Sequence, residues 1–372
     1  MDDSIMDNQL SLDTYLNNGM KNLMSNAYKA VFNNPKESLF VFRMQTVFGR
    51  SEKKRKSYSE KENLHIPPFL ISSIAIDCNL SCKGCYTRTN KVCGTAEKDK
   101  REELTADQWK KIFLEAAQMG INFNLLAGGE PLLRKDILEA ASEVEDMIFP
   151  IFTNGTVITG SYINFFSQHL NLIPVLSLEG CKENTDNRRG QGVFNRVIHS
   201  MELLKEKGLF YGTSITVTSE NLDTVTSLYY VNLLKDLGCK IIFYIEYVPT
   251  DPDTIHLALD EDGIAKMETN LEKLRISCND VIFLSFPGDE KAMGGCLAAG
   301  RGFLHISPDG RAEACPFSPY SDRNVVQTGL KEALRSPFFA KLRDSGLVGG
   351  EHTGGCTLFE NEEQVRGMLS VE

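Results

Sequence analysis

Cys78, Cys82 and Cys85 put three thiols within eight residues, directly after an apolar, β-branched run from Ile71 to Ile76 that stops at Asp77. The arrangement is a loop of soft ligands hung on the end of a strand. Thiolate sulfur suits iron, and one short loop can wrap three corners of an iron-sulfur cluster. The fourth corner then has no protein ligand, and an iron left open in this way can bind a substrate or cofactor, unlike that of a pure electron carrier. The same positions, i, i+4 and i+7, would also form one face of a buried helix, where free cysteine is common. Asn79, Ser81 and Gly84 are poor helix formers and oppose that alternative.

The stretch CNLSCKGC resembles the CxxxCxxC signature of the radical SAM superfamily, whose cluster binds S-adenosylmethionine (SAM) through the open iron. It departs from the common pattern in having Gly84 before the last cysteine and Tyr86 after it. Gly128-Gly129-Glu130-Pro131 follows the second candidate strand. Two glycines let a backbone approach a ligand closely, and proline is well suited to open a helix, so the residues alone also fit an ordinary strand-to-helix turn. The segment is similar to the GGEP motif of the same family, which contacts the SAM amino group. The resemblance makes Gly128, Gly129 and Glu130 cofactor-binding candidates.

Thr153-Asn154-Gly155-Thr156 resembles the family's TNG turn and adds Asn154, although an Asn-Gly turn requiring φ > 0 explains it equally. Ser177-Leu178-Glu179-Gly180 and the later Arg189 resemble a Ser-x-Asp-Gly element followed by an arginine. The resemblance implies that Ser177 faces the SAM ribose, that Glu179 stands where aspartate is usual, and that Arg189 meets the SAM carboxylate. The plain alternative for Arg189 is a surface pair with Asp186. Cys181, beside that turn, could exchange a hydrogen atom or simply be packed. Glu246, near the end of the sixth candidate strand, could touch substrate or SAM, or sit in an internal ion pair.

Near the C-terminus, Phe303 to Ser307 and Arg311 to Ala314 read as short strands joined by Pro308-Asp309-Gly310. Cys296 and Cys315 bracket this hairpin, and Cys356 follows later. The segment looks like the opening of the SPASM and twitch modules, which hold an auxiliary 4Fe-4S cluster in radical SAM enzymes. Only one further cysteine follows, so the resemblance implies at most one auxiliary cluster, on Cys296, Cys315 and Cys356. Its fourth group could be His352 or a remote cysteine that folds back, or one iron could be left open to bind substrate. Zinc on three cysteines and a histidine is the other metal reading.

Elements must hold these residues in place. Strands are expected at Ile71–Ile76, Ile121–Leu126, Ile148–Phe152, Ile173–Leu178, Tyr211–Val217 and Lys240–Tyr247. Amphipathic segments lie between them. One opens with a capping box at Thr105 and Gln108 and runs to Met119; another has Val193, Phe194, Val197, Ile198, Met201 and Leu204 on one face, and a third has Val225, Leu228, Tyr229 and Leu233. Alternating strand and helix predict right-handed crossovers and a parallel sheet. Six such units match the partial (β/α)6 TIM-type barrel of the family, and parallel barrels gather chemistry at the carboxyl ends of their strands.

The expected architecture is α/β. Residues 1–68 form a helical extension, with an apolar stripe of Met20, Leu23, Met24, Tyr28, Val31 and Phe32, ending in the basic run Arg50 to Lys56 read as a solvated linker. Residues 69–250 form the barrel and 251–293 a connecting helix and strand. Residues 294–359 form a twitch/SPASM-like α+β module, and 360–372 an acidic tail.

The chain has 372 residues, enough for a large core, with 42% apolar and 24% charged residues. Forty basic against fifty acidic residues give a net charge of -10, which argues against a long nucleic acid as partner. Ten cysteines without disulfide-scaffold spacing, no secretory apolar region near the start and no apolar run of membrane length predict a cytoplasmic protein. The resemblance implies an enzyme that cleaves SAM reductively to a 5'-deoxyadenosyl radical and takes hydrogen from a peptide or protein. It also implies an electron donor such as flavodoxin or ferredoxin. Two other readings stay open: the same chemistry on a small metabolite held at the auxiliary cluster, and a non-enzymatic iron-sulfur or zinc protein.

Overall fold

A computed structural model describes residues 35–90, 102–348 and 356–369. The expected stripe from Met20 to Phe32, Cys93 and His352 lie outside these residues. In chain order the main elements are α1 (Pro35–Glu62), β1 (Phe69–Ala75), α2 (Ala106–Met119), β2 (Phe123–Gly128), α3 (Lys135–Ser142), β3 (Phe149–Thr153), α4 (Gly160–Gln168) and β4 (Leu172–Ser177). There follow α5 (Lys182–Arg189), α6 (Val193–Glu206), β5 (Gly212–Val217), α7 (Leu228–Asp236), β6 (Ile241–Glu246), α8 (Glu261–Ser277) and β7 (Ile282–Phe286). The last are β8 (His305–Ile306), β9 (Arg311–Glu313), β10 (Arg323–Asn324), α9 (Leu330–Leu334), α10 (Pro337–Asp344) and α11 (Glu362–Leu369). All six expected strands are present, with ends shifted by at most two residues.

The chain divides into two compact units. One comprises β1 to β3 together with β8 onward. Its strands run in the order β10-β9-β8-β1-β2-β3, with β1 parallel to both β2 and β8, and β8-β9-β10 antiparallel. The capping box is present: Thr105 Oγ1 accepts from the Gln108 amide at 3.3 Å while Gln108 Oε1 accepts from the Thr105 amide at 2.9 Å. It starts α2 in the phase that buries Trp109, Ile112, Phe113 and Ala116. We expect Thr105→Ala to destabilise this unit by about 1 kcal/mol, the usual worth of an N-cap, measurable as a lower denaturant midpoint. An unchanged midpoint would refute it.

Three expectations need correction in this unit. The basic run is not a linker but lies within α1. Lys53, Lys54 and Lys56 are solvated, yet Arg55 is buried and donates to the Gly120 carbonyl at 3.2 Å, because its helical position turns it onto the end of α2. The acidic tail is helical in α11, since Val365 buries completely. The C-terminal hairpin is not detached from the barrel strands either. His305 pairs with Ile71 and Ile306 with Ser72, extending the sheet beyond β1. A buried chain of hydrogen bonds fixes that junction: His305 Nε2 to Ser73 Oγ at 2.8 Å and Nδ1 to Glu313 Oε2 at 2.8 Å.

The other unit comprises β4 to β7, in sequence order and all parallel, with the intervening helices. Val193, Val197, Met201 and Leu204 of α6 are buried as expected. The predicted face of α7 is not: Leu228, Tyr229 and Leu233 are exposed, and Tyr230, Val231 and Leu234 enter the core. Ser227 caps the helix through the Tyr230 amide at 3.2 Å, and that start sets the helical phase. No helix among the described residues is long and apolar enough to cross a membrane.

Candidate active site

Cys78, the first of the loop, comes three residues after β1 ends at Ala75. Gly84 has φ +61°, a left-handed conformation that an aromatic residue would adopt only with strain, which accounts for glycine before Cys85. Cys85 then heads a single helical turn, its carbonyl accepting from the Arg88 and Thr89 amides at 3.1 Å, and Arg88 Nη2 closes the loop on the Leu80 carbonyl at 2.6 Å. The Cys85 thiol meets Thr87 Oγ1 at 3.0 Å. All three cysteines are partly accessible.

The Gly-Gly-Glu turn is sewn to this loop. The Gly129 amide donates to the Ala75 carbonyl at 2.7 Å, and the Glu130 amide to the Asp77 carbonyl at 2.8 Å, one residue before Cys78. A Cβ on Gly129 would sit 2.2 Å from the Asp77 oxygen; Gly128, at φ +125°, would put one 2.5 Å from the Ala75 oxygen. Glycine is therefore required for the two strand ends to meet. Glu130 is buried, with Oε1 accepting from the Leu132 amide at 3.0 Å and Thr153 Oγ1 at 2.7 Å. The end of β1 is held from the other side: the Ile76 amide donates to Glu103 Oε1 at 2.6 Å, and Arg134 pairs with Glu103 at 3.3 Å. Glu103, Arg134 and Arg88 carried no motif in the sequence, since each acts through a long-range or backbone partner.

In the unit of β4 to β7, Ser177 lies opposite Ser214, and Thr216 opposite Ile245, so these four share one sheet face. Glu246 pairs with Val217 on the opposite, packed face and is only 5% exposed. The two-residue period of the strand thus places its carboxylate on the face opposite Ser177 and Thr216. Glu179 is buried and accepts from Arg188 Nη1 at 2.7 Å, Arg189 Nε at 2.7 Å and the Thr216 amide at 3.0 Å. Burial pushes its carboxyl pKa up, but Arg189 and Arg188 outweigh that and hold it below the ordinary carboxylate range. Arg189 pairs with Glu179 rather than Asp186, whose oxygens accept from the Gly192 and Phe194 amides. Two guanidinium groups on one carboxylate leave a net positive charge. Asn154 closes its own turn, Oδ1 accepting from the Thr156 amide and hydroxyl at 2.9 and 2.7 Å, with Gly155 at φ +71°. Cys181 is exposed at the start of α5, its thiol donating to Asn184 Oδ1 at 2.6 Å.

The C-terminal cysteines also come together. Cys315 lies within interaction range of both Cys356 and Cys296. The Cys356 side chain, then burial, raise the Cys315 thiol pKa well above its usual value. No group of three or more His, Cys, Asp or Glu among the described residues is gathered as a single metal ion would require. A four-iron cluster makes a different demand, taking each thiolate on a separate iron. Three thiols on a loop, beside a backbone cradle that excludes any Cβ, fit such a group at Cys78, Cys82 and Cys85.

Residues 72–229 match the family model described as the Radical SAM superfamily. Over 334 residues the chain is 26% identical to the AdoMet-dependent heme synthase of Methanosarcina barkeri, covering 81% of this chain and 90% of that protein. It is also 26% identical over 330 residues to the mycofactocin maturase MftC of Mycolicibacterium smegmatis, covering 82% of this chain and 79% of the relative. Among solved structures, Streptococcus suis SuiB bound to the precursor peptide SuiA superposes with a TM-score of 0.63 at 18% identity, covering 82% of this chain and 75% of that one. The fold class is the α/β partial barrel expected from the sequence.

Proposed function

This chain belongs to the radical SAM superfamily, and from that premise we propose that it takes a hydrogen atom from a residue of a peptide or protein. It is an enzyme whose cofactors are a four-iron, four-sulfur cluster and SAM. When bound, these supply a carbon-centred radical able to attack an unactivated C–H bond. The protein's own work is to bind, orient and shield. In this reading Cys78, Cys82 and Cys85 hold the cluster and leave one corner open. Gly128, Gly129 and Glu130 present backbone to the amino end of SAM. In the unit of β4 to β7, Ser177 is the candidate for a ribose contact, and the surplus charge of Arg188 and Arg189 over Glu179 suits a carboxylate ligand. Cys296, Cys315 and Cys356 hold an auxiliary cluster.

The observation that carries the reading is the seam between Asp77 and the glycine pair. It fixes a ligand-binding backbone against the first residue of the cysteine loop, as one molecule contacting both would need. Anaerobically reconstituted protein, reduced with dithionite and given SAM, should release 5'-deoxyadenosine. Absence of that product sinks the enzyme reading. The substrate class is supported by the maturases among the relatives, MftC and the sporulation killing factor maturation protein SkfB. A second reading, a small tetrapyrrole-like molecule, is favoured by the heme synthase that this chain spans to 90% of its length. Deuterium decides between them: transfer of label into 5'-deoxyadenosine from a deuterated peptide, and not from an iron porphyrin precursor, supports the peptide. The reverse pattern overturns it.

A further inference from the structure

The auxiliary cluster proposed above has three cysteines for four irons. Cys315-Pro316-Phe317-Ser318 makes a tight turn in which the Ser318 amide donates to the Cys315 carbonyl at 3.0 Å, and the two residues face each other as an isolated antiparallel bridge. Side chains directly opposite across such a bridge project from the same face, with Cβ atoms roughly 5 Å apart. Ser318 therefore projects to the same side as the Cys315 thiol. It is 1% exposed, and its Oγ has no hydrogen-bond partner among the described residues. A buried hydroxyl left unpaired is unfavourable, so the position calls for a partner that the described residues do not supply. The spacing is informative as well. Cys-x2-Cys is the interval at which one short loop fills two corners of an iron-sulfur cluster, and here oxygen stands in the second place.

We propose that Ser318 is the fourth ligand of the auxiliary cluster, its Oγ binding the iron left over by Cys296, Cys315 and Cys356. The inference rests on the two-cluster reading above. As the Fe–O bond forms, the O–H bond breaks and the proton leaves to water; no iron changes oxidation state. A corner closed in this way turns the auxiliary cluster into an electron-transfer group and removes the iron at which a small substrate would be held.

The test uses the full chain carrying Cys78→Ala, Cys82→Ala and Cys85→Ala, so that auxiliary iron alone is counted. This background should hold about four irons. If it holds none, the two-cluster reading fails, and the ligand assignment falls with it before Ser318 is touched. Given four, ferricyanide oxidation should leave them in place in the background, whereas adding Ser318→Ala should lose one and give the electron paramagnetic resonance signal of a three-iron cluster. Ser318→Cys should keep all four and move the midpoint potential. The assignment is overturned if the background sheds its fourth iron as readily as the Ser318→Ala protein. A Ser318→Cys cluster with the potential of its parent overturns it equally, whether or not the alanine variant folds.

Discussion

Gly129→Ala is expected to reduce the rate of 5'-deoxyadenosine formation by about 100-fold or more while leaving the chain folded. The added Cβ would lie 2.2 Å from the Asp77 oxygen and 2.8 Å from that of Ile76, both backbone atoms that cannot rotate away. Ordinary contact requires roughly another ångström, so the glycine turn and the residue preceding Cys78 must part by about that distance. Displacements of this size at a positioning element typically cost on the order of 100-fold in rate. The stability loss should be smaller, about 1–3 kcal/mol, as for overpacking elsewhere. Two readouts separate the effects: iron content should stay near that of the parent, because the cysteines are intact, while SAM affinity and turnover fall together. A variant with parental turnover would show that the seam does not position the cofactor.

Glu179→Leu should be among the most destabilising single changes, at about 3–5 kcal/mol, because it removes one partner of a buried pair and leaves two guanidinium groups without their anion. Arg188 and Arg189 are 15% and 10% exposed, so water cannot replace the carboxylate fully. Thr216 would lose the acceptor of its amide as well. Glu179→Gln, which keeps an oxygen acceptor but not the charge, should cost less. The folded-state pKa of Glu179 lies below its ordinary value, so its contribution is fully present above the unfolded carboxylate pKa of about 4.3 and is lost as pH falls through the lower, folded value. Thermal unfolding followed from neutral pH down to pH 3 should therefore show a shallower acid limb in Glu179→Gln than in the parent. Parallel acid limbs in the two proteins would contradict this account.

The exposed face of α7 shows how local a sequence signal is. Apolar periodicity from Val225 to Leu233 correctly announced a helix, but it could not say which residue begins it. Ser227 does, as the N-cap, and the core face moves to Tyr230, Val231 and Leu234. Glu246 makes a related point. Its place near a strand's carboxyl end was legible, whereas its side depends on register with Val217, which only pairing fixes.

What the sequence determined by itself was what depends on near neighbours. The cysteine spacing, the capping box at Thr105, the alternation of β-branched runs with amphipathic segments and the Pro308-Asp309-Gly310 turn all act within a few residues, and each was readable. Tertiary structure decided what depends on meetings across the chain. It set Gly129 against Asp77, joined Glu179 to two arginines and Thr216, and paired His305 with Ser73 and Glu313 so that the C-terminal hairpin extends the sheet at β1. The physical reason is that burial turns a polar group's need for a partner into a strong constraint, but which partner meets it is set by packing and not by sequence interval.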